Sequence, residues 1–249
     1  MEPTITLTIL TQTFDEFVRQ AKIASTFLPY IQIDVMDGKF VPTLSFPERD
    51  EINDLDVNLK YELHLMVADP VAEMRTWQGV ESVFRVLFHF ESTTDPLRPI
   101  SFARKEGWEV GMVINPDTPL SVVEPFLDQI DVLQFMTVYP GAQGAPFEPK
   151  VLDKVREFIQ WRKISLTPPP TLPLKGEGDD SSPPFKEGTG GVVLYTGKPL
   201  CAVDGAVNPE TIVQLRDAGV EIFNVGSYFT KAEDMRQACE ELRQMMNEE

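Results

Sequence analysis

The sequence predicts an α/β fold, a single (β/α)8 barrel of the TIM type that takes up residues 1–249. Short apolar strands alternate with helix-like segments eight times along the chain, which is the order of a parallel sheet covered by helices. Polar side chains recur where the strands end, and barrels of this type carry their functional residues on that face. The chain has 249 residues and 42% hydrophobic content, enough for one large core. An open, doubly wound sheet is the alternative, and the polar residues at the strand ends favour the barrel.

The eight predicted strands are short runs of apolar and β-branched residues. Six of them span residues 4–10, 61–67, 83–90, 110–114, 132–138 and 221–225. A further strand runs from residue 30 to an acidic turn at Asp37-Gly38, and another runs from residue 200 to Asp204.

Between the strands, apolar residues repeat at helical spacing. Thr13 and Glu16 have the S/T-x-x-E form of a capping box at the start of the first helix. Asp69 followed by Pro70 suits the first turn of another helix, and Gly219 suits a helix end. The remaining predicted helices lie at 96–107, 120–130, 151–159, 208–219 and 235–246, and residues 47–58 have only weak helical character.

One segment interrupts this alternation. Residues 167–191 read TPPPTLPLKGEGDDSSPPFKEGTGG, in which eleven of the 25 residues are proline or glycine. The segment has no hydrophobic period and few side chains that could pack. We therefore expect a disordered, flexible surface insert between the sixth helix and the seventh strand.

The composition restricts the possible partners. A net charge of −17 argues against nucleic acid or an anionic membrane as a ligand. The absence of an apolar run of membrane-spanning length, and of a signal-like N-terminus, predicts a cytoplasmic protein. The two cysteines, Cys201 and Cys239, form no disulfide framework and no metal-spaced pair, so we expect buried thiols.

Three strands carry polar residues on the face that should point inward. Gln32 and Asp34 share a face of the second strand because side chains alternate along a strand. His64 and Asp204 occupy similar positions on the third and seventh strands. A carboxylate in an apolar run must be paired, metal-bound or catalytic. The alternatives are an aspartate that caps the next helix and a histidine satisfied within the core.

These strands carry a family resemblance. Residues 32–43 (QIDVMDGKFVPT), 64–66 (HLM) and 203–206 (VDGA) resemble the motifs HxDVMDGxFVPN, HLM and VDGG of the ribulose-phosphate 3-epimerases. The resemblance implies an isomerase of the pentose phosphate pathway, which interconverts D-ribulose 5-phosphate and D-xylulose 5-phosphate. It further implies that Asp34 and Asp204 exchange the C3 proton through an enediolate.

The resemblance also implies a divalent metal cation. The family binds its metal with two histidines and the same two aspartates, so Asp34, His64 and Asp204 are the expected ligands. Gln32 occupies the place of the second histidine. An amide oxygen is a harder ligand than an imidazole, so we expect a weaker site that either prefers Mn²⁺ or Mg²⁺ to Zn²⁺ or Fe²⁺ or holds no metal at all.

The implied phosphate site departs from the family pattern. The family loop PGFGGQ reads PGAQGA at residues 140–145, and Ala206 replaces the second glycine of the DGG turn. Such an alanine is tolerable where its φ is negative and obstructive where φ is positive. His89 and Glu91 match the HxE of the fourth strand, which supports the substrate or the metal shell. The expected substrate and phosphate contacts are Thr8, His64, Gly141, Gly144, Gly205, Gly226 and Ser227, and the expected pocket methionines are Met36, Met66 and Met136.

Two functions remain open on this evidence. The first is an epimerase that acts on a small-molecule sugar phosphate, and the retained aspartates favour it. The second is a catalytically impaired barrel that serves as a phosphate-ligand-binding or scaffold protein, and Gln32 and the altered loop favour it. The resemblance is compatible with a homo-oligomer, although no residue pattern marks an interface.

Overall fold

The computed structural model describes residues 3–45, 50–141, 144–165 and 199–248. Within these residues, eight parallel strands form one closed barrel, in which every strand pairs with its neighbours in the sequence. The barrel closes where β1 pairs with β8, so that Thr4 lies opposite Ile222. This topology confirms the predicted (β/α)8 barrel and excludes the open doubly wound sheet.

The strands lie within two residues of their predicted limits. They are β1 (Thr4–Ile9), β2 (Tyr30–Met36), β3 (Lys60–Met66), β4 (Val83–His89), β5 (Glu109–Ile114), β6 (Val132–Met136), β7 (Leu200–Asp204) and β8 (Ile222–Val225). The register places Asp34 of β2 directly opposite His64 of β3. Because alternate side chains point into the barrel, this register brings the polar residues of neighbouring strands together.

Seven α-helices lie in the described parts of the chain. They are α1 (Phe14–Ala24), α2 (Pro70–Thr76), α3 (Leu97–Lys105), α4 (Lys150–Ser165), α5 (Ile212–Ala218), α6 (Ser227–Thr230) and α7 (Met235–Asn247). Asp69 caps α2 by accepting a hydrogen bond from the Ala72 amide, and Asp234 caps α7 in the same way. Gly219 ends α5 with φ +104°, as its position predicted.

Three local predictions are wrong. Thr13 is the N-cap of α1, but its side chain makes no capping hydrogen bond, and Glu16 instead accepts from Arg19 and Gln20. Residues 120–130 form two short 3₁₀ helices, Leu120–Val122 and Glu124–Gln129, instead of an α-helix. Pro125 explains the difference, because proline has no amide hydrogen and restrains the residue before it.

The third error concerns the start of α5, which begins at Ile212 and not at Asn208. Asn208 instead closes a turn, in which its side-chain oxygen accepts from the Glu210 amide at 2.8 Å. In the described part of the weakly helical region 47–58, the chain forms a 3₁₀ helix, Asp50–Asp54.

The predicted insert, residues 167–191, lies outside the described residues. Arg162, in the last turns of α4, joins the described chain before the insert to the described chain after it. The Arg162 guanidinium donates to the Pro199 carbonyl at 3.1 Å and to Glu221 at 2.5 Å. Leu200 then enters the sheet by donating its amide to the Asp131 carbonyl at 2.9 Å. The two flanks of the insert therefore meet at the amino-terminal end of the barrel.

The core lies between the strands and the helices, and it includes both cysteines as buried free thiols, as predicted. Inside the amino-terminal end of the barrel, Arg85 binds Glu62 at 2.7 Å and Glu109 at 2.7 Å. This arrangement satisfies a buried guanidinium in an otherwise apolar layer. Among the helices described, none has the length and apolarity needed to cross a bilayer.

Candidate active site

A cavity opens at the carboxyl ends of the strands. Asp34, His64 and Asp204 line it, although each is less than a tenth exposed. The three methionines predicted for the pocket, Met36, Met66 and Met136, line it as well. The lining further includes the predicted substrate and phosphate residues Thr8, Gly141, Gly144, Gly205, Gly226 and Ser227.

The two aspartates lie on either side of one imidazole nitrogen. His64 Nδ1 is 2.9 Å from Asp34 Oδ1 and 3.1 Å from Asp204 Oδ2. The β2–β3 register fixes the first contact, and the closure of the barrel brings Asp204 of β7 to the same point. Two carboxylates therefore face a common small space.

Burial and charge shift the titration of these groups. Burial raises the pKa of Asp34 to about 6, and the neighbouring Asp204 charge adds to the effect. Burial alone would lower the pKa of His64, but its hydrogen bonds to Asp204 and Asp34 outweigh burial and raise the pKa to about 10. In the absence of a metal, the imidazole is therefore protonated and neutralises part of the carboxylate charge.

Gln32 is completely buried directly beneath the carboxylates. Its Nε2 donates to Asp204 Oδ2 at 2.8 Å and to Thr8 Oγ1 at 3.2 Å. Its Oε1 has no hydrogen-bond partner among the described residues. The amide therefore offers the aspartates a donor instead of a metal-ligating oxygen.

A second histidine extends the cluster away from the cavity. His89 Nε2 lies 3.0 Å from His64 Nε2, and His89 Nδ1 lies 3.4 Å from Glu91 Oε2. Burial lowers the pKa of His89 to about 4, so this ring is neutral. The consistent tautomer has His89 Nδ1–H facing Glu91 and Nε2 accepting the proton of His64 Nε2. His89 thus orients the imidazole that lies between the aspartates, whereas Glu91 lies near His89 without forming a hydrogen bond to its Nδ1.

Two residues near the site were missed by the sequence analysis. Asn224 Nδ2 donates to Gln134 Oε1 at 2.7 Å, and Gln134 Nε2 lies 3.5 Å from Asp204 Oδ2. Both are fully buried in the layer below the aspartates. The alternation along β6 contained the signal, because Gln134 shares the inward face with Met136.

The turn after β7 is the most strained part of the cavity wall. Gly205 has φ +104°, and a Cβ on it would lie 2.5 Å from Val138 Cγ2, so only glycine fits there. Ala206 follows with φ +46°, the single positive φ of a non-glycine among the described residues. The condition under which Ala206 would be tolerated, a negative φ, is therefore not met.

Sequence comparison identifies the family of the chain. A model of the ribulose-phosphate 3 epimerase family matches residues 4–167. The chain belongs to the ribulose-phosphate 3-epimerase family. Its relatives include the ribulose-phosphate 3-epimerase of Mycobacterium tuberculosis strain H37Rv, 30% identical over 246 residues, with 97% of this chain and 92% of the relative covered. The Escherichia coli K12 enzyme of the same name is 27% identical over 225 residues, covering 90% and 86%.

Solved structures give the same architecture at lower identity. KGPDC from Streptococcus mutans superposes with a TM-score of 0.63 at 12% identity, covering 99% of this chain and 98% of that one. The 3-hexulose-6-phosphate synthase of Salmonella typhimurium gives a TM-score of 0.60 at 14% identity, covering 99% and 98%. These matches support the barrel fold.

Three of the four predicted metal ligands fit a cation. Asp34, His64 and Asp204 each offer one ligand atom, and these atoms all lie within 4.8 Å of one another. Two carboxylates and one imidazole form a donor set that suits a divalent ion. Gln32, the fourth predicted ligand, lies next to Asp204 but turns its amide nitrogen, which cannot bind a metal, towards that carboxylate.

Proposed function

We propose that the chain epimerises C3 of a ketose phosphate, interconverting D-ribulose 5-phosphate and D-xylulose 5-phosphate. The observation that carries the proposal is the placement of Asp34 and Asp204 about a single nitrogen of His64, at 2.9 and 3.1 Å, on the wall of a cavity. Inversion at carbon needs one group to remove the proton and a second to deliver one from the opposite face. A symmetric carboxylate pair supplies both.

The two aspartates exchange roles according to the direction of the reaction. In one direction the ionised Asp34 takes the C3 proton, and Asp204, which begins the step as the carboxylic acid, gives its proton to the other face of the enediolate; in the reverse direction the roles are exchanged. A pKa of about 6 suits Asp34 to this work, since it is ionised at neutral pH yet basic enough to accept a proton. The methionines on the wall keep the reacting carbon away from bulk water.

Asp34, His64 and Asp204 are the residues that would hold a divalent metal, with Mn²⁺ and Mg²⁺ favoured over Zn²⁺ and Fe²⁺ by the single imidazole. When bound, such an ion would supply positive charge to the oxygens of the enediolate. Once a metal takes the place of the Nδ1 proton, His89, which accepts at Nε2, would keep the remaining proton of His64 on its Nε2 and leave Nδ1 directed at the shared space. If the Gln32 amide rotated by half a turn, its Oε1, which has no partner among the described residues, would take the place of Nε2 beside Asp204 and would be available as a fourth ligand.

A second candidate is a barrel that binds sugar phosphates without turnover. Two observations favour it: the hydrogen bond from Gln32 Nε2 to Asp204, which engages one of the acid/base groups, and the positive φ of Ala206 in the cavity wall. This candidate predicts ligand binding without exchange of the C3 proton.

The test is proton exchange at C3 of D-ribulose 5-phosphate in D₂O, followed by NMR with Zn²⁺, Fe²⁺, Mn²⁺ or Mg²⁺ added in turn. We expect deuterium at C3 together with D-xylulose 5-phosphate. Asp34→Asn should lower the rate by roughly 10²–10⁴-fold. Asp15→Asn, at an exposed position of α1, is the control and should not change it. Binding of the sugar phosphate without exchange under any metal would favour the second candidate.

A further inference from the structure

The described wall of the cavity lacks a counter-charge for a phosphorylated ligand. Among the described residues that line it, Asp34 and Asp204 bring negative charge, His64 is already held between these two carboxylates, and no lysine or arginine is present. The whole chain carries −17. A phosphate dianion entering this cavity is therefore repelled unless a cation lies near the place where it binds.

One amine lies in a groove that adjoins the cavity. Lys231 follows α6 directly, and its amide donates to the Ser227 carbonyl at 3.2 Å. Its side chain reaches across to the loop after β6, where a Cβ built on Gly144 would lie 3.9 Å from Lys231 Nζ. Gly144 and Ser227 both line the cavity, and Ser227 also lines the adjoining groove that contains Lys231. The ammonium group therefore stands between the two glycine-containing loops.

The Lys231 ammonium is not engaged by the described residues around it. It has no ion pair or side-chain hydrogen bond with any residue in the part of the chain that the structure describes. Of the acids that line the same groove, Asp234 accepts from the Gln237 amide at 3.0 Å, Glu241 accepts from Tyr228 at 3.1 Å, and Glu233 forms no ion pair with Lys231. An exposed and uncommitted lysine in so acidic a chain is available to an anionic ligand.

We propose that Lys231 binds the phosphate of the substrate and makes the site specific for phosphorylated ketoses. The inference rests on the proposed function, because it assumes that the phosphate lies against the loops of Gly144 and Ser227. An ammonium on a flexible stem acts as a point charge and needs no fixed geometry. Lys231 would therefore supply the charge that a loop altered to PGAQGA does not supply through its own side chains.

Lys231→Met tests this assignment, because it keeps the length of the side chain and removes the charge. We expect the KM for D-ribulose 5-phosphate to rise about tenfold, the effect of one charge-assisted hydrogen bond, with kcat changed less than about twofold. The dissociation constant of inorganic phosphate should rise by a similar factor. The kcat/KM for unphosphorylated D-ribulose should stay unchanged. Lys231→Arg should restore the KM to within about threefold, since it restores the charge.

Lys105→Met is the matched control, because Lys105 is an exposed lysine of α3 that does not line the cavity. It should change neither the KM nor phosphate binding. Equal KM and phosphate affinity in wild type and Lys231→Met would overturn the inference, and so would a wild type that binds no phosphate. A third outcome separates the two proposals. If the wild type catalyses no exchange at C3 but binds phosphate more tightly than Lys231→Met does, the lysine assignment stands and the epimerase proposal fails.

Discussion

Replacing Ala206 with glycine tests whether the turn after β7 stores backbone strain. Ala206 has φ +46°, a region that costs an L-residue with a Cβ roughly 1–2 kcal/mol. Glycine removes that cost but adds about 0.4–1 kcal/mol of chain entropy to the unfolded state. The hydrogen bond from Thr211 Oγ1 to the Ala206 carbonyl, 2.7 Å long, involves only the main chain of Ala206 and is retained. Ala206→Gly should therefore stabilise the protein by about 1 kcal/mol.

The assay is equilibrium denaturation in urea, supported by thermal melting. For a chain of this size, about 1 kcal/mol corresponds to a rise in Tm of roughly 2–4 °C. Ala72→Gly is the control, because Ala72 is exposed within α2 and has no positive φ. In a helix, the same substitution should destabilise by about 1 kcal/mol. If Ala206→Gly lowered the free energy of unfolding as much as Ala72→Gly does, the positive φ would carry no strain and the reasoning would be wrong.

Three further predictions concern the site and its support. Gln32→His should raise both metal affinity and the epimerisation rate, since it replaces an amide donor to Asp204 with a second imidazole ligand; calorimetry and C3 exchange measure the two. Metal affinity should rise about tenfold per pH unit between about pH 7 and 9, because the ion must displace the proton that His64 holds up to a pKa of about 10; calorimetry in buffers of different ionisation enthalpy counts that proton. Gly205→Ala should destabilise by roughly 2–5 kcal/mol in urea denaturation, because its Cβ would overlap Val138.

Each of these outcomes has a contrary result. A gain in metal affinity without a gain in rate for Gln32→His would place the limitation in the phosphate loop. Metal binding that releases no proton would mean that His64 is neutral in the metal-free protein. Gly79→Ala is the control for Gly205→Ala, since Gly79 has φ +87° with nothing within 4 Å of an added Cβ. Equal losses in the two variants would show that Val138 can move aside.

Much of the fold could be predicted because hydrophobic period and strand ends are local properties of the sequence. The inward faces of β2, β3 and β7 followed from alternation, and closure of a parallel barrel then required Asp34, His64 and Asp204 to converge. The period over residues 120–130 was misleading, because it records which side chains are apolar and not whether Pro125 permits an α-helix.

Other features of the site depended on geometry that the sequence does not contain. The orientation of the Gln32 amide depends on which neighbours surround it, and two of its three hydrogen-bond partners come from other strands. The sign of φ at Ala206 depends on how the chain turns out of β7 beside Val138. No sequence motif marks Lys231. Its proposed role follows from the position of its Nζ, which lies 3.9 Å from where a Cβ on Gly144 would be.

The contacts of Arg162 place the connection between α4 and β7 at the end of the barrel away from the cavity. Arg162, Pro199 and Glu221 join at the rim opposite the cavity, so the chain leaves and re-enters the barrel at the end away from the candidate site. Additional length at that point costs little, because the closure entropy of a flexible loop grows only with the logarithm of its length, by roughly 0.6 kcal/mol for each doubling. A lineage could therefore lengthen or shorten this connection without moving the residues that line the cavity. The same position offers protein engineers a place to graft a foreign domain onto a working barrel.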